Sequence, residues 1–134
     1  MKLVKFVAIA LLGIALIACG GGNKPENVAK KFIEYGYKGD VDNMIKLINM
    51  PENAKKDGTQ EIVSGKLKQA AIKSKEESDR KGGLKEVVVE SSQIDEPNGT
   101  GRVKIVVHFK NDGSKSQTEN VRVIRSGKEW KVNL

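Results

Sequence analysis

The sequence predicts an α+β domain in which N-terminal helices pack on a curved, four-stranded antiparallel meander. Three observations predict it. Apolar residues recur at helical spacing between residues 25 and 81, and from residue 84 onward they alternate with polar residues. Short turn signals separate the alternating segments, which favours antiparallel pairing because parallel strands need long crossovers. One face of such a sheet is apolar, and the helices have the apolar stripes to cover it.

Two helices are predicted between residues 25 and 48. Pro25 opens the first one, at a position where its missing N–H costs nothing. The glycines at 36 and 39 should end or loosen this helix. Asp40 then has the side chain and the position of an N-cap for a second, shorter helix.

A third helix and four strands complete the predicted domain. Thr59 is the expected cap of the third helix, and the glycine pair at 82–83 should stop it. The expected strands cover residues 84–94, 102–110, 119–125 and 130–134. The alternation places Arg102 in the second strand and Arg122 in the third on the side opposite the apolar residues, and it places Glu119 on the apolar side. In the fourth strand, Trp130 and Leu134 fall on one side.

The first nineteen residues have the layout of a secretory signal. Two lysines precede an apolar run from residue 6 to residue 17, and Cys19 follows, the only cysteine in the chain. The run is shorter than the roughly 20 residues that a membrane-spanning helix needs. Leu16, Ala18 and Cys19 resemble the lipobox of bacterial lipoproteins. That resemblance implies cleavage between Ala18 and Cys19 and acylation of Cys19 by chains such as palmitate.

This interpretation divides the chain into three parts and predicts its cellular location. Residues 1–18 are the signal peptide, residues 19–24 an acylated flexible tether, and residues 25–134 the folded domain. The expected location is the bacterial cell envelope. If the host is Gram-negative, Gly20 after the cysteine implies the periplasmic face of the outer membrane.

The charge of the mature chain is positive but points to no single partner. Removal of residues 1–18, which hold two lysines and no acid, lowers the net charge from +7 to +5. Such an excess favours anionic lipid head groups, cell-wall polymers or acidic proteins, or it is simply a lysine-rich, solvated surface. Nucleic acid is not expected, because only four of the cations are arginine and base recognition depends on arginine.

No catalytic, metal or cofactor site is expected. One cysteine and one histidine cannot form a metal site alone, and His108 falls on the polar side of the second strand, where an exposed or rim imidazole is expected. Tyr35, Tyr37, Asp40 and Asp42 cluster near the end of the first helix. A tyrosine and an aspartate could together transfer a proton at a carbonyl, but helix capping explains both acids.

Several of these features together resemble a known family. The lipobox, the Pro25–Phe32 helix start, the Gly39–Asp40 step and the closing hairpin at 127–132 resemble small lipoproteins of the DUF4878 type, in the NTF2-like (cystatin-like) superfamily. The resemblance implies a cone with a pocket between helices and sheet, and dimerisation through the open sheet is a further possibility. Should the pocket be open, its expected lining is Phe32, Tyr35, Met44, Phe109 and Trp130.

The fold alone implies no chemistry, so the functional expectation rests on the anchor and on the missing catalytic set. We expect a non-enzymatic, membrane-anchored module that binds an envelope protein or a cell-wall component through its sheet face or cone mouth. One alternative is a carrier of a small apolar ligand in the cone. Another is a small enzyme that uses tyrosine and aspartate.

Overall fold

The computed structural model describes residues 23–51, 53–111, 113 and 115–134. The expected signal peptide, the cleavage site between Ala18 and Cys19 and most of the tether lie outside these ranges. The described chain forms helices followed by a four-stranded sheet, which confirms the predicted α+β architecture. The helices are α1 (Pro25–Lys38), α2 (Val41–Lys46) and α3 (Thr59–Arg80). The strands are β1 (Leu84–Asp95), β2 (Thr100–Phe109), β3 (Gln117–Ser126) and β4 (Glu129–Val132).

The sheet is an antiparallel meander in the order β1-β2-β3-β4. Gly99 closes the turn between β1 and β2 with a φ of 66°, a conformation that glycine adopts without strain. Two register shifts interrupt β1, between Leu84 and Glu86 and between Val89 and Ser91. Bulges of this kind increase local twist, which helps the sheet to wrap around the helices.

The first helix continues through the first of its two predicted end signals and stops at the second. Gly36 lies inside α1, buried against Met44, whose Cε would be 3.3 Å from an added Cβ. The glycine therefore allows α1 and α2 to approach each other. It does not end the helix, although the sequence predicted that it would end or loosen it. The helix ends at Gly39, which has a φ of 75°. Asp40 caps α2 as predicted, because its Oδ1 accepts a hydrogen bond from the Asn43 amide at 3.3 Å.

The start of α3 also differs from the prediction. Thr59 is the first residue of the helix, and Gly58 occupies the N-cap position. Asp57 supplies the acceptor that Thr59 was expected to provide, because its Oδ1 accepts a hydrogen bond from the Thr59 amide at 2.9 Å. Hydrogen bonds from the side chain and then from the backbone of Thr59 lower the pKa of Asp57.

The core lies between α1 and the concave face of the sheet. Its centre is β2, where Val103, Ile105 and Val107 are fully buried. Leu134 was predicted to continue the apolar side of the last strand, but β4 ends at Val132 and Leu134 is 60% exposed. None of the described helices has the length and apolar character required to cross a membrane.

Candidate functional site

The concave face of the sheet carries one polar pair among its apolar side chains. The Tyr37 hydroxyl donates a hydrogen bond to Glu119 Oε2 at 2.8 Å. The Tyr37 ring is buried and meets Phe109 edge-on, with ring centroids 5.7 Å apart. Burial, and then the hydrogen bond to Glu119 and its charge, raise the pKa of Tyr37 well above its usual range. Tyr37 is therefore a neutral donor that satisfies a carboxylate at the edge of the core.

A cavity of about 350 Å³ lies beside this pair, between α1 and the end of the sheet. Glu119 lines it together with Phe32, Ile33, Asn120, Val121, Arg122, Val132, Asn133 and Leu134. Among the five side chains expected to line a pocket, Phe32 is at this cavity. Met44, Phe109 and Trp130 are buried in the core, and Tyr35 packs partly buried against it.

The expected tyrosine–aspartate cluster has a structural explanation. Asp40 accepts hydrogen bonds from the Asn43 amide and, at 2.6 Å, from Asn43 Nδ2. Asp42 is exposed in the first turn of α2. Among the described residues, no hydrogen bond joins the side chain of either aspartate to that of Tyr35 or Tyr37. The two acids therefore act as helix-capping and first-turn residues.

The opposite face of the sheet is not covered by the helices, and we call it the open face. The strand register aligns Gln93, Arg102 and Arg122 across β1, β2 and β3. Asn133, just beyond β4, extends this row, because its amide donates to the Arg122 carbonyl at 2.8 Å. Since side chains alternate between faces, and Val103 and Val121 point into the core, these four polar side chains share the open face.

A groove of about 550 Å³ follows this row across the open face. Its walls include the row Gln93–Arg102–Arg122–Asn133 and the neighbouring Asp95 and Thr100. The other lining residues are neighbours of this row along the strands: Ile94, Gly101 and Val123. We refer to this feature below as the arginine groove.

The two arginines of the groove differ in pairing from other cations of the sheet. Lys104 lies 3.7 Å from Glu90, and Arg125 lies 2.9 Å from Glu96. Arg102 and Arg122 are exposed, stand directly opposite each other, and have no ion pair or side-chain hydrogen bond within the described ranges. The Asp95 carboxylate nearby already accepts two hydrogen bonds from Asn98, at 3.3 and 2.7 Å.

His108 lies on the open face, as its position in the alternation predicts. It stands opposite Glu86 across β1 and β2 and is half-buried. No hydrogen bond joins its ring to another described side chain. In the described part of the chain, no cluster of three or more histidine, cysteine, aspartate or glutamate side chains is arranged to hold a metal ion.

The end of the tether is fixed to the last strand. Asn23 Nδ2 donates to the Trp130 carbonyl at 3.1 Å, and Asn23 Oδ1 accepts a hydrogen bond from the Trp130 amide. The side chain of Asn23 thus pairs with the outer edge of β4 as a neighbouring strand would, beside residues 47–49, which hydrogen-bond to Val132 on the same edge. We call this contact the Asn23 clamp.

Comparisons with known proteins agree with this architecture. The model of a family described as a domain of unknown function, DUF4878, matches residues 17–133. The chain belongs to the DUF4878 family. A Campylobacter jejuni protein, provisionally described as an NTF2-like transpeptidase and solved at 2.00 Å resolution, has a similar fold with a TM-score of 0.74. The two are 29% identical over 83% of this chain and 98% of the other. No curated protein matches this DUF4878 chain.

Sequence reasoning placed individual residues of these sites on the correct faces but did not assemble the sites. Alternation predicted that Arg102 and Arg122 face away from the core and that Glu119 faces toward it. The partner of each residue depends on the strand register, which sets Arg102 against Arg122. Asn23 gave no signal, because its partners are backbone groups of a strand more than a hundred residues away.

Proposed function

We propose that this DUF4878 chain is a lipid-anchored module of the bacterial envelope that binds an anionic partner through its open face and catalyses no reaction. The arginine groove is the observation that carries the proposal. Two exposed arginines stand directly opposite each other on neighbouring strands there, and neither has an anionic partner within the described ranges. Guanidinium groups bind carboxylate and phosphate with two parallel hydrogen bonds, so an anion seated between them would satisfy both.

The proposed anchor is supported by the position of Cys19. The cysteine follows a short apolar run, and the family match begins two residues before it. Acyl chains contribute about 0.8 kcal/mol per buried CH₂, so two or three of them would hold the protein at a membrane without a spanning helix. An envelope protein or a cell-wall component could then reach the open face.

The description of the Campylobacter jejuni protein raises transpeptidation as an alternative. Acyl transfer through a covalent intermediate needs a nucleophile within hydrogen-bond reach of a base. In the described ranges, His108 has no hydrogen bond with any serine, and the hydroxyl of Ser92 instead donates to Glu26 at 2.8 Å. These contacts favour a binding role over catalysis.

The carrier alternative finds less support than the open face does. The space between α1 and the sheet is occupied by core side chains, including the fully buried Val103, Ile105 and Val107. The cavity beside Glu119 is the one observation that favours a ligand or a proton transfer in the cone. If Tyr37→Phe and Glu119→Gln variants fold normally and yet lose the cellular phenotype, that alternative would replace the binding role.

Two measurements test the proposal, one for each half. Cys19→Ala is expected to release the protein from membranes washed with high salt, and retention there would contradict the anchor. For the binding half, a photo-crosslinking residue replaces Gln93 in the groove, and the exposed Gln69 on α3 is the matched control. We expect cross-linked products from position 93 only, and equal yields from both positions would contradict the open-face site.

The same experiment addresses a homodimer through the open sheet. Two copies placed face to face would bring four unpaired arginines together, and like charges at such distances repel. We therefore expect no product of twice the chain mass from position 93. Such a product would show that a second copy covers the groove.

A further inference from the structure

We propose that the arginine groove binds the phosphate groups of anionic lipids in the membrane that holds the anchor, so that the domain rests on that membrane. This inference rests on the proposed function, because it names the partner of the same site. It follows from two further observations, which are the length of chain between the anchor and the fold and the place where that chain is fixed.

The tether limits how far the fold can stand from the bilayer. From Cys19 to Asn23 the chain spans at most about 14 Å, the length of four extended residues. The Asn23 clamp then joins this segment to the backbone of Trp130 in β4. A domain of this size has a radius of gyration of about 13 Å, so the tether is shorter than the diameter of the fold. The β4 edge of the sheet is therefore the side held near the membrane.

The arginine groove opens at that same edge. Neighbouring strands are about 4.8 Å apart, so Arg122 lies one strand from β4 and Arg102 two strands away. Asn133, at the end of β4, completes the row. An arginine side chain can cover the remaining distance and keep its guanidinium group at the depth of the head groups. The short tether thus keeps the groove close to the anionic surface of the membrane that holds the anchor.

Charge and shape agree with a phosphate ligand. The groove offers two guanidinium groups and the side-chain amides of Gln93 and Asn133 as hydrogen-bond donors. Its one acid, Asp95, already accepts both hydrogen bonds from Asn98. Lys131 and Lys128 add positive charge at the β4 end, although Lys131 is 3.8 Å from Glu129. A phosphate accepts hydrogen bonds from two arginines at once, whereas an apolar ligand would leave these donors unused.

The test uses a domain of residues 23–134, which lacks Cys19 and contains every described element. The Campylobacter jejuni chain, matched over 98% of its length in its crystal structure, has the same extent, which supports a domain that folds without the anchor segment. Co-sedimentation is measured with phosphatidylglycerol vesicles and with phosphatidylcholine vesicles. We expect binding to the anionic vesicles only, weakening as salt is added.

Matched variants assign that binding to the groove. Arg102→Gln with Arg122→Gln should weaken binding to phosphatidylglycerol about 30-fold, since each cation near a membrane surface contributes about fivefold. Lys68→Gln with Lys73→Gln removes the same charge from exposed positions of α3, and this control should retain most of the affinity. Arg102→Lys with Arg122→Lys keeps both positive charges and should therefore still bind measurably. Binding by this pair would show that the loss in the glutamine pair comes from the missing charge and not from a folding defect.

Three results would overturn the inference: equal losses in the two glutamine pairs, equal binding to both kinds of vesicle, or displacement by inorganic phosphate at matched ionic strength. The last would identify a free phosphate and not a membrane as the ligand. Because the assayed domain has no Cys19, its failure leaves the anchoring half of the proposed function intact. Conversely, a Cys19→Ala protein that stays in the membrane fraction after a high-salt wash, which removes the electrostatic contact of the groove, would contradict the anchor without changing the vesicle result.

Discussion

The two faces of the sheet are built from the same strands and have opposite characters. In β2, Val103, Ile105 and Val107 are fully buried against the helices, while Arg102 and Lys104 between them are exposed. One alternating segment therefore supplies both the centre of the core and part of the candidate binding surface. Residues that stabilise the fold and residues available for binding are thus separated by a single step along the strand, so neighbouring substitutions should have different effects.

Each face also contains an exception to its own character. The covered face holds Glu119, which Tyr37 satisfies with a hydrogen bond. The open face holds Val88 opposite Val106, both half-buried among polar neighbours. The half-buried acid needs a donor because a carboxylate that loses part of its hydration is costly without a hydrogen bond, whereas the two valines shield each other and need no further partner.

The largest expected effect compares two adjacent valines of β2. Val107→Ala should lower the free energy of unfolding by about 2–3 kcal/mol, because it removes fully buried methyl groups and leaves a cavity. Val106→Ala makes the same chemical change on the open face and should cost less than about 1 kcal/mol. Urea unfolding of both variants measures the difference, and strand propensity cancels between them. Equal losses would mean that the open face is covered in solution.

A smaller and pH-dependent effect is expected at the polar exception of the covered face. Tyr37→Phe should cost about 1–2 kcal/mol at neutral pH, because Glu119 loses its donor. Tyr35→Phe removes a hydroxyl without a hydrogen bond to any described residue, so it is the control at that pH and should cost less.

The pH profile of Tyr37 has a defined sign. The folded protein raises the pKa of Tyr37, mainly through burial, whereas in the unfolded chain the phenol ionises near its usual value of about 10. The contribution of neutral Tyr37 is therefore complete below about pH 10 and is lost as the pH rises further. Comparing urea midpoints of wild type and Tyr37→Phe across this range isolates it. A constant difference between the two proteins would contradict the assignment.

The fold was predictable because its signals are local. The change from helical to alternating spacing at residue 84 gave the architecture, and Asp40 gave a correct helix start. Gly36 and Thr59 were misread for one reason. Locally, a glycine indicates the end of a helix and a threonine indicates an N-cap. The actual roles depend on packing, because Gly36 lies against Met44 and Asp57 accepts the hydrogen bond at the start of α3.

The candidate site was less predictable because its parts are distant in sequence. Alternation gave the face of Arg102 and of Arg122, but their juxtaposition depends on the pairing of β2 with β3. Glu119 on the apolar side of β3 was a visible irregularity, and the helix that supplies its donor could not be read from the strand. The Asn23 clamp joins a side chain to backbone groups, which no residue pattern reveals.

The smallest expected effect concerns the stability cost of the arginine groove itself. Like charges directly opposite in a sheet repel, so Arg102→Gln should raise the free energy of unfolding by roughly 0.2–1 kcal/mol at low salt. Once this substitution is present, Arg122→Gln should add little, because the repulsion is already gone, and salt should remove the coupling. Lys104→Gln is the control with the opposite sign, since it breaks the ion pair with Glu90 and should cost up to about 1 kcal/mol.

A loss of stability on Arg102→Gln would assign that arginine to the fold. A gain in stability combined with weaker vesicle binding would instead mark the pair as residues whose contribution appears only when an anion is bound. The two faces would then differ in kind, because the covered face holds side chains that stabilise the free protein and the open face holds a pair that destabilises it.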